Sequence, residues 1–146
     1  MITKHLTKFS RLTRLYTLST PFTSQRRLYS LETNAERQYH RLSDDYLDKL
    51  VEYFEEIGDA TNLKGYDIVY TDGVLTLKLG VSGTYVINKQ PPNRQIWLSS
   101  PTSGPARFEF SSDKKAWVNA RTGQPLKELL DRELKLILHQ DMDTPI

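Results

Sequence analysis

The chain has 146 residues, no cysteine and a formal net charge of +2, which bounds it to one domain of ordinary size or a smaller domain with a tail. The lack of a thiol excludes disulfides, thiolate metal sites, Cys-ligated iron–sulfur clusters and a cysteine nucleophile, and no run reaches the roughly 18 apolar residues of a membrane-spanning helix. The small total hides opposed segments: residues 1–30 hold six bases and no acid, residues 31–72 eleven acids against four bases, and residues 73–146 ten bases against seven acids.

Residues 1–30 are rich in Arg, Lys, Ser and Thr, and Ile2, Leu6, Phe9, Leu12 and Leu15 recur at helical spacing with bases between them. No continuous apolar run of a secretory signal is present. The pattern is that of a mitochondrial transit peptide, whose basic amphipathic face suits import toward a negative interior. Arg27-Leu28-Tyr29-Ser30 suits a processing site, so the expected division is a removed leader at 1–30, taking His5 with it, and a domain at 31–146. A disordered basic arm for nucleic acid is the alternative reading.

Thr33-x-x-Glu36 is a capping box. Tyr39, Leu42, Tyr46, Leu50, Phe54 and Ile57 then step by three and four, which predicts an amphipathic helix of about 24 residues ending near Gly58-Asp59. Ser43 is a second cap candidate that would shorten it. Strands are expected at 66–70 and 74–79, joined by the hairpin signal Asp72-Gly73. Further strands follow at 84–87, 95–99, 107–110 and 116–118, with turns at Pro91-Pro92-Asn93 and from Pro101 to Pro105. Pro125 suits a helix N-terminus, and Leu126, Leu129, Leu130, Leu134, Ile137 and Leu138 define a second amphipathic helix to about His139. The order predicts an α+β, two-layer sandwich: two helices on one face of an antiparallel sheet of about six strands.

The first helix carries most of the acid. Asp44, Asp48, Glu52, Glu55 and Asp59 step by four, four, three and four, flanked by Asp45 and Glu56 and interrupted only by Lys49. Like charges at that spacing repel by a few tenths of a kcal/mol each. The stripe is either a solvated face or a surface for hard cations or a basic partner. Carboxylate-only ligands suit Mg, Ca, Mn and iron ions; without a cage they bind weakly. His40, four residues before Asp44, is either a surface residue or an added ligand, and His139 suits a helix C-terminus. On the fourth strand, inward Ile96 and Leu98 leave Gln95, Trp97 and Ser99 outward. Trp97 is then either covered by a loop or a binding hot spot, framed by Asn88, Lys89, Arg94 and Arg107. No nucleophile elbow, phosphate-binding glycine loop, H-E-x-x-H or dinucleotide fingerprint occurs.

The run GTYVINKQPPNRQIWLSSP from Gly83 to Pro101, followed by Ser103-Gly104-Pro105 and Arg107-Phe108, resembles the frataxin family, most closely its fungal members. The resemblance extends over the acidic first helix, Asp72-Gly73-Val74, Trp117-Val118 and the Leu126–Leu138 helix. It implies an α-β sandwich in the mitochondrial matrix that acts in iron–sulfur cluster assembly. Such a protein docks on the complex of cysteine desulfurase and scaffold protein, stimulates sulfur transfer, and supplies or regulates Fe(II).

By the same resemblance, Asp44, Asp45, Asp48, Glu52, Glu55, Glu56 and Asp59, with Asp67 on the first strand, match an acidic ridge that binds iron (Fe2+/Fe3+). Asp45 and Asp48 match carboxylates linked to ferroxidation, and Asn88, Lys89, Gln95, Trp97 and Arg107 match or adjoin the partner-binding sheet surface. The alternative function it implies is a ferroxidase and iron-storage protein supporting haem synthesis. Ferrochelatase and iron-dependent homo-oligomers are further implied partners; nucleic acid and membrane are not. Val69 stands where some fungal members carry a second acid, and the end at Ile146, soon after the second helix, implies an uncovered inter-helix groove and modest stability.

Overall fold

The computed structural model describes residues 33–146. The expected leader at 1–30 and its processing site lie outside the described residues. Helix α1 spans Asn34–Ala60 and starts with the expected capping box. The Thr33 backbone N–H donates to Glu36 at 2.6 Å, and the Glu36 N–H donates to the Thr33 hydroxyl at 3.2 Å. Ser43 is no cap: it is buried mid-helix, and its hydroxyl donates to the His40 carbonyl at 3.1 Å. The helix ends at Ala60, beside the expected Gly58-Asp59, and Gly58 in its last turn also allows a close approach. A Cβ there would sit 2.7 Å from the Tyr66 ring, whose hydroxyl donates to the Phe54 carbonyl at 2.5 Å.

Strands β1 (Tyr66–Thr71), β2 (Val74–Leu79), β3 (Thr84–Gln90), β4 (Gln95–Ser100), β5 (Gly104–Ser111) and β6 (Ala116–Asn119) precede α2 (Leu126–Leu138). They form one antiparallel meander in sequence order. Asp72 and Gly73 both take positive φ (52° and 75°), as a tight primed hairpin turn requires. Strand β5 starts at Gly104, earlier than its apolar alternation suggests. Pro105 is tolerated there because β6 pairs only with Phe108–Ser111, so proline breaks no ladder on that side.

Alternation along each strand puts Leu75, Leu77, Tyr85, Ile87, Ile96, Leu98 and Phe108 in the core, against Leu47, Leu50 and Phe54 of α1 and Leu126, Leu130 and Leu134 of α2. Each such side chain contributes roughly 1.5–3 kcal/mol on burial. One acid enters this core. Glu133 of α2 is 3% exposed, and its Oε2 accepts from the hydroxyls of Ser100 (2.6 Å) and Tyr85 (3.0 Å). The Ser100 oxygen in turn accepts the Thr102 and Ser103 N–H groups, fixing the β4–β5 turn.

The groove between the helices is not left open, contrary to the expectation from the short tail. The Asp143 N–H donates to the Tyr53 hydroxyl of α1 at 2.9 Å. The Thr144 N–H and hydroxyl both donate to Asp131 of α2, at 2.8 and 2.7 Å. Lys127 bridges Asp143 and Asp131 at 2.6 and 3.0 Å. Thr144 is thereby 1% exposed.

Candidate functional site

Two surfaces emerge, one on each layer. The α1 stripe points to solvent as the helical spacing requires: Asp45, Asp48, Glu52, Glu55, Glu56 and Asp59 are exposed and Asp44 is half-buried. Not all of this charge is free. Lys49 pairs with Asp45 at 2.8 Å. Lys89, reaching across from β3, pairs with Asp44. Asp67 lies on the face of β1 turned away from the helices, directly opposite Lys78 and 2.9 Å from its amine. That hydrogen bond and charge hold the Asp67 carboxyl below its ordinary range.

Among the described residues, Asp48, Glu52, Glu55, Glu56 and Asp59 have no ion pair, and no three His, Cys, Asp or Glu side chains converge on one metal position. His40 packs edge-on against Tyr39, ring centroids 5.2 Å apart. The field of the stripe is felt on β1: burial, then the charges of Asp48 and Asp44, raise the Tyr70 phenol. Such a surface offers one or two carboxylates per cation, with water completing the shell, and fits weak binding of hard ions.

The outer sheet face is more sharply built. Register places Asn88, Trp97 and Arg107 side by side across β3, β4 and β5. The Arg107 guanidinium lies 4.5 Å from the Trp97 ring centroid. The Trp97 indole N–H donates to the Gln95 side-chain oxygen at 2.9 Å, and the Gln95 amide donates to Glu109 at 2.7 Å. The Gln95 carbonyl accepts the Tyr39 hydroxyl of α1 at 2.9 Å, so the site rests on both layers. Trp97 is thus a half-buried aromatic fixed on both sides.

Lys89 does not belong to this row. Its side chain, 13% exposed, is on the helix side with Asp44, because β3 alternates and Asn88 takes the outer position. Arg94 is exposed at the β3–β4 turn in a left-handed conformation (φ 51°) and lines a separate cleft beside Tyr39 and Phe110. Nothing local in the sequence marks Glu109 as part of this face. The β4–β5 register that puts it opposite Gln95 is the signal that would have found it.

Two helices over a six-stranded meander, with an acidic helix and an aromatic–arginine sheet face, define a small α+β sandwich. The description "Frataxin-like domain" matches residues 32–140, and the chain belongs to the frataxin family. It is 49% identical over 126 residues to the mitochondrial frataxin homologue of Drosophila melanogaster, covering 80% of this chain and 66% of that protein. It is 39% identical over 92 residues to the "Iron-sulfur cluster assembly protein CyaY" of Thioalkalivibrio sulfidiphilus, covering 63% of this chain and 82% of that protein. Among solved structures, trimeric Saccharomyces cerevisiae frataxin complexed with ferrous iron superposes with a TM-score of 0.62 at 43% identity, covering 68% of this chain and 87% of that one. The chain spans 54–66% of the length of several of the curated relatives it matches. Relatives from animal, plant and yeast are named mitochondrial, and this protein is mitochondrial.

Proposed function

We propose that the protein is an iron-binding assembly factor of the mitochondrial matrix. It promotes iron–sulfur cluster synthesis by docking its sheet face on a cysteine desulfurase–scaffold complex and stimulating sulfur transfer. The observation that carries this reading is the row Asn88–Trp97–Arg107, with Trp97 clamped between Arg107 and Gln95. A large ring held rigid at a partly solvated surface loses little freedom on binding and is a typical interface anchor. The name of the Thioalkalivibrio relative supports the process, and the ferrous complex of the yeast relative supports iron as its cargo.

On this reading the free carboxylates from Asp48 to Asp59 present Fe(II) or meet basic partner residues, and the 1–30 leader is removed on import. The trimeric yeast relative supports a capacity for oligomers. A ferroxidase that uses Asp45 and Asp48, stores Fe(III) and serves ferrochelatase is less well supported, because Lys49 occupies Asp45 and would have to release it.

Calorimetric titration of the chain into the desulfurase–scaffold complex tests the assignment. Trp97→Ala should weaken binding by about 2–4 kcal/mol, as for an interface hot spot, while Asp48→Asn with Glu52→Gln should lower iron binding and leave most of the docking. Docking unchanged by Trp97→Ala refutes it.

A further inference from the structure

The concave ground beside Trp97 extends past the residues assigned to docking. A cavity of about 560 Å³ is lined on one side by Gln95, Trp97, Pro105 and Arg107 and on the other by Asn119 and Arg121. We propose that this cavity receives an acidic segment of the partner protein, with Arg107 and Arg121 as its two carboxylate-binding groups and Trp97 as its apolar wall. The proposal rests on the docking reading above and specifies the chemistry of what docks.

The Arg107 guanidinium carbon lies over the Trp97 ring, 4.5 Å from its centroid. With no ion pair among the described residues to engage it, the planar guanidinium fork can bind a carboxylate through two parallel hydrogen bonds. Arg121 comes from outside the sheet, on a turn the sequence itself fixes. The Asn119 side-chain oxygen accepts the N–H groups of Arg121 and Thr122 at 2.9 and 3.0 Å. The Gly123 N–H donates to the Asn119 carbonyl at 2.8 Å, and the Ala120 N–H donates to the Arg107 carbonyl at 2.9 Å. The second bond ties the backbone of one arginine's turn to the other arginine's strand.

Neither arginine has an ion pair among the described residues. No lining residue is acidic, and Glu109, two positions along β5, is bonded to Gln95. An aromatic wall with two uncompensated guanidinium groups complements an acidic peptide segment. It does not complement a nucleic acid: two phosphate contacts are few, and the acidic stripe on α1 opposes a polyanion.

The test is the affinity of the full chain for the desulfurase–scaffold complex, measured against salt concentration for the parent, Arg121→Gln, Arg121→Glu and Trp97→Ala. Arg121 is exposed and its turn is held by backbone and Asn119 bonds, so its variants should melt with the parent. Arg121→Gln should weaken docking about tenfold and flatten the salt dependence, and Arg121→Glu should weaken it about a hundredfold. If Trp97→Ala abolishes docking while the Arg121→Gln variant binds like the parent, the acidic-segment proposal is wrong and the docking reading stands. A loss on Arg121→Gln with an unchanged salt slope also overturns the proposal, because the contact is then not with charge. Failure of the parent to bind removes both.

Discussion

Trp97 and Glu133 show how single side chains divide the work between surface and core. Trp97 satisfies its indole N–H locally, on Gln95, so its ring presents itself without a polar debt. Glu133 does the reverse: it is an acid in the core, there to receive two hydroxyls. Glu133→Ala would remove the acceptor of the Ser100 hydroxyl, leave the Tyr85 hydroxyl only its 3.4 Å contact with Thr102 and open a cavity, and should cost about 2–4 kcal/mol in urea denaturation. Glu133→Gln keeps an acceptor oxygen and should cost about 1 kcal/mol or less. Equal costs for the two would show that packing, not hydrogen bonding, sets the value. Trp97 was legible in the sequence as the outward member of an alternating strand. Glu133 was not, because its partners lie 33 and 48 residues away and nothing local marks a buried acid on an amphipathic helix.

Helix α1 was the most legible element, since its capping box and its three-and-four spacing are both local signals. It ends at Ala60, beside the expected Gly58-Asp59, and Gly58 also makes room for the Tyr66 ring. The same locality lets the acids be read as a stripe, whereas the bases that neutralise Asp44 and Asp67 come from other strands. The carboxyls of Glu36, Asp67 and Asp141 lie below their ordinary values: Glu36 by hydrogen bonding to Thr33, Asp67 by Lys78 and Asp141 by Lys135. A depressed folded-state value stabilises the fold above the ordinary carboxylate range and loses that contribution as pH falls through the folded-state value. Thermal stability should therefore be flat near neutrality and fall below about pH 4.5, the ordinary value of Glu36. Thr33→Ala removes one partner of the cap; it should lower stability by about 1 kcal/mol at pH 7 and shrink the acid-side loss. An acid limb identical to the parent's would mean that the cap contributes nothing to it.

At the scale of the molecule, the meander was predictable because every connection between strands is short, which leaves antiparallel neighbours as the simplest pairing. The seating of residues 142–144 between the helices was not, because Tyr53 of one helix and Lys127 and Asp131 of the other meet only in the folded chain. The result is a two-sided body, with acid along the helix layer and an aromatic–arginine face on the sheet. On the proposed function, the sheet face and not the acid activates the assembly complex. The most direct measurement is sulfide production by a matching desulfurase–scaffold complex in iron-free buffer, with the parent chain and with Trp97→Ala. The parent should accelerate sulfide production, and the variant should not. Acceleration that needs iron, or that survives Trp97→Ala, would contradict it.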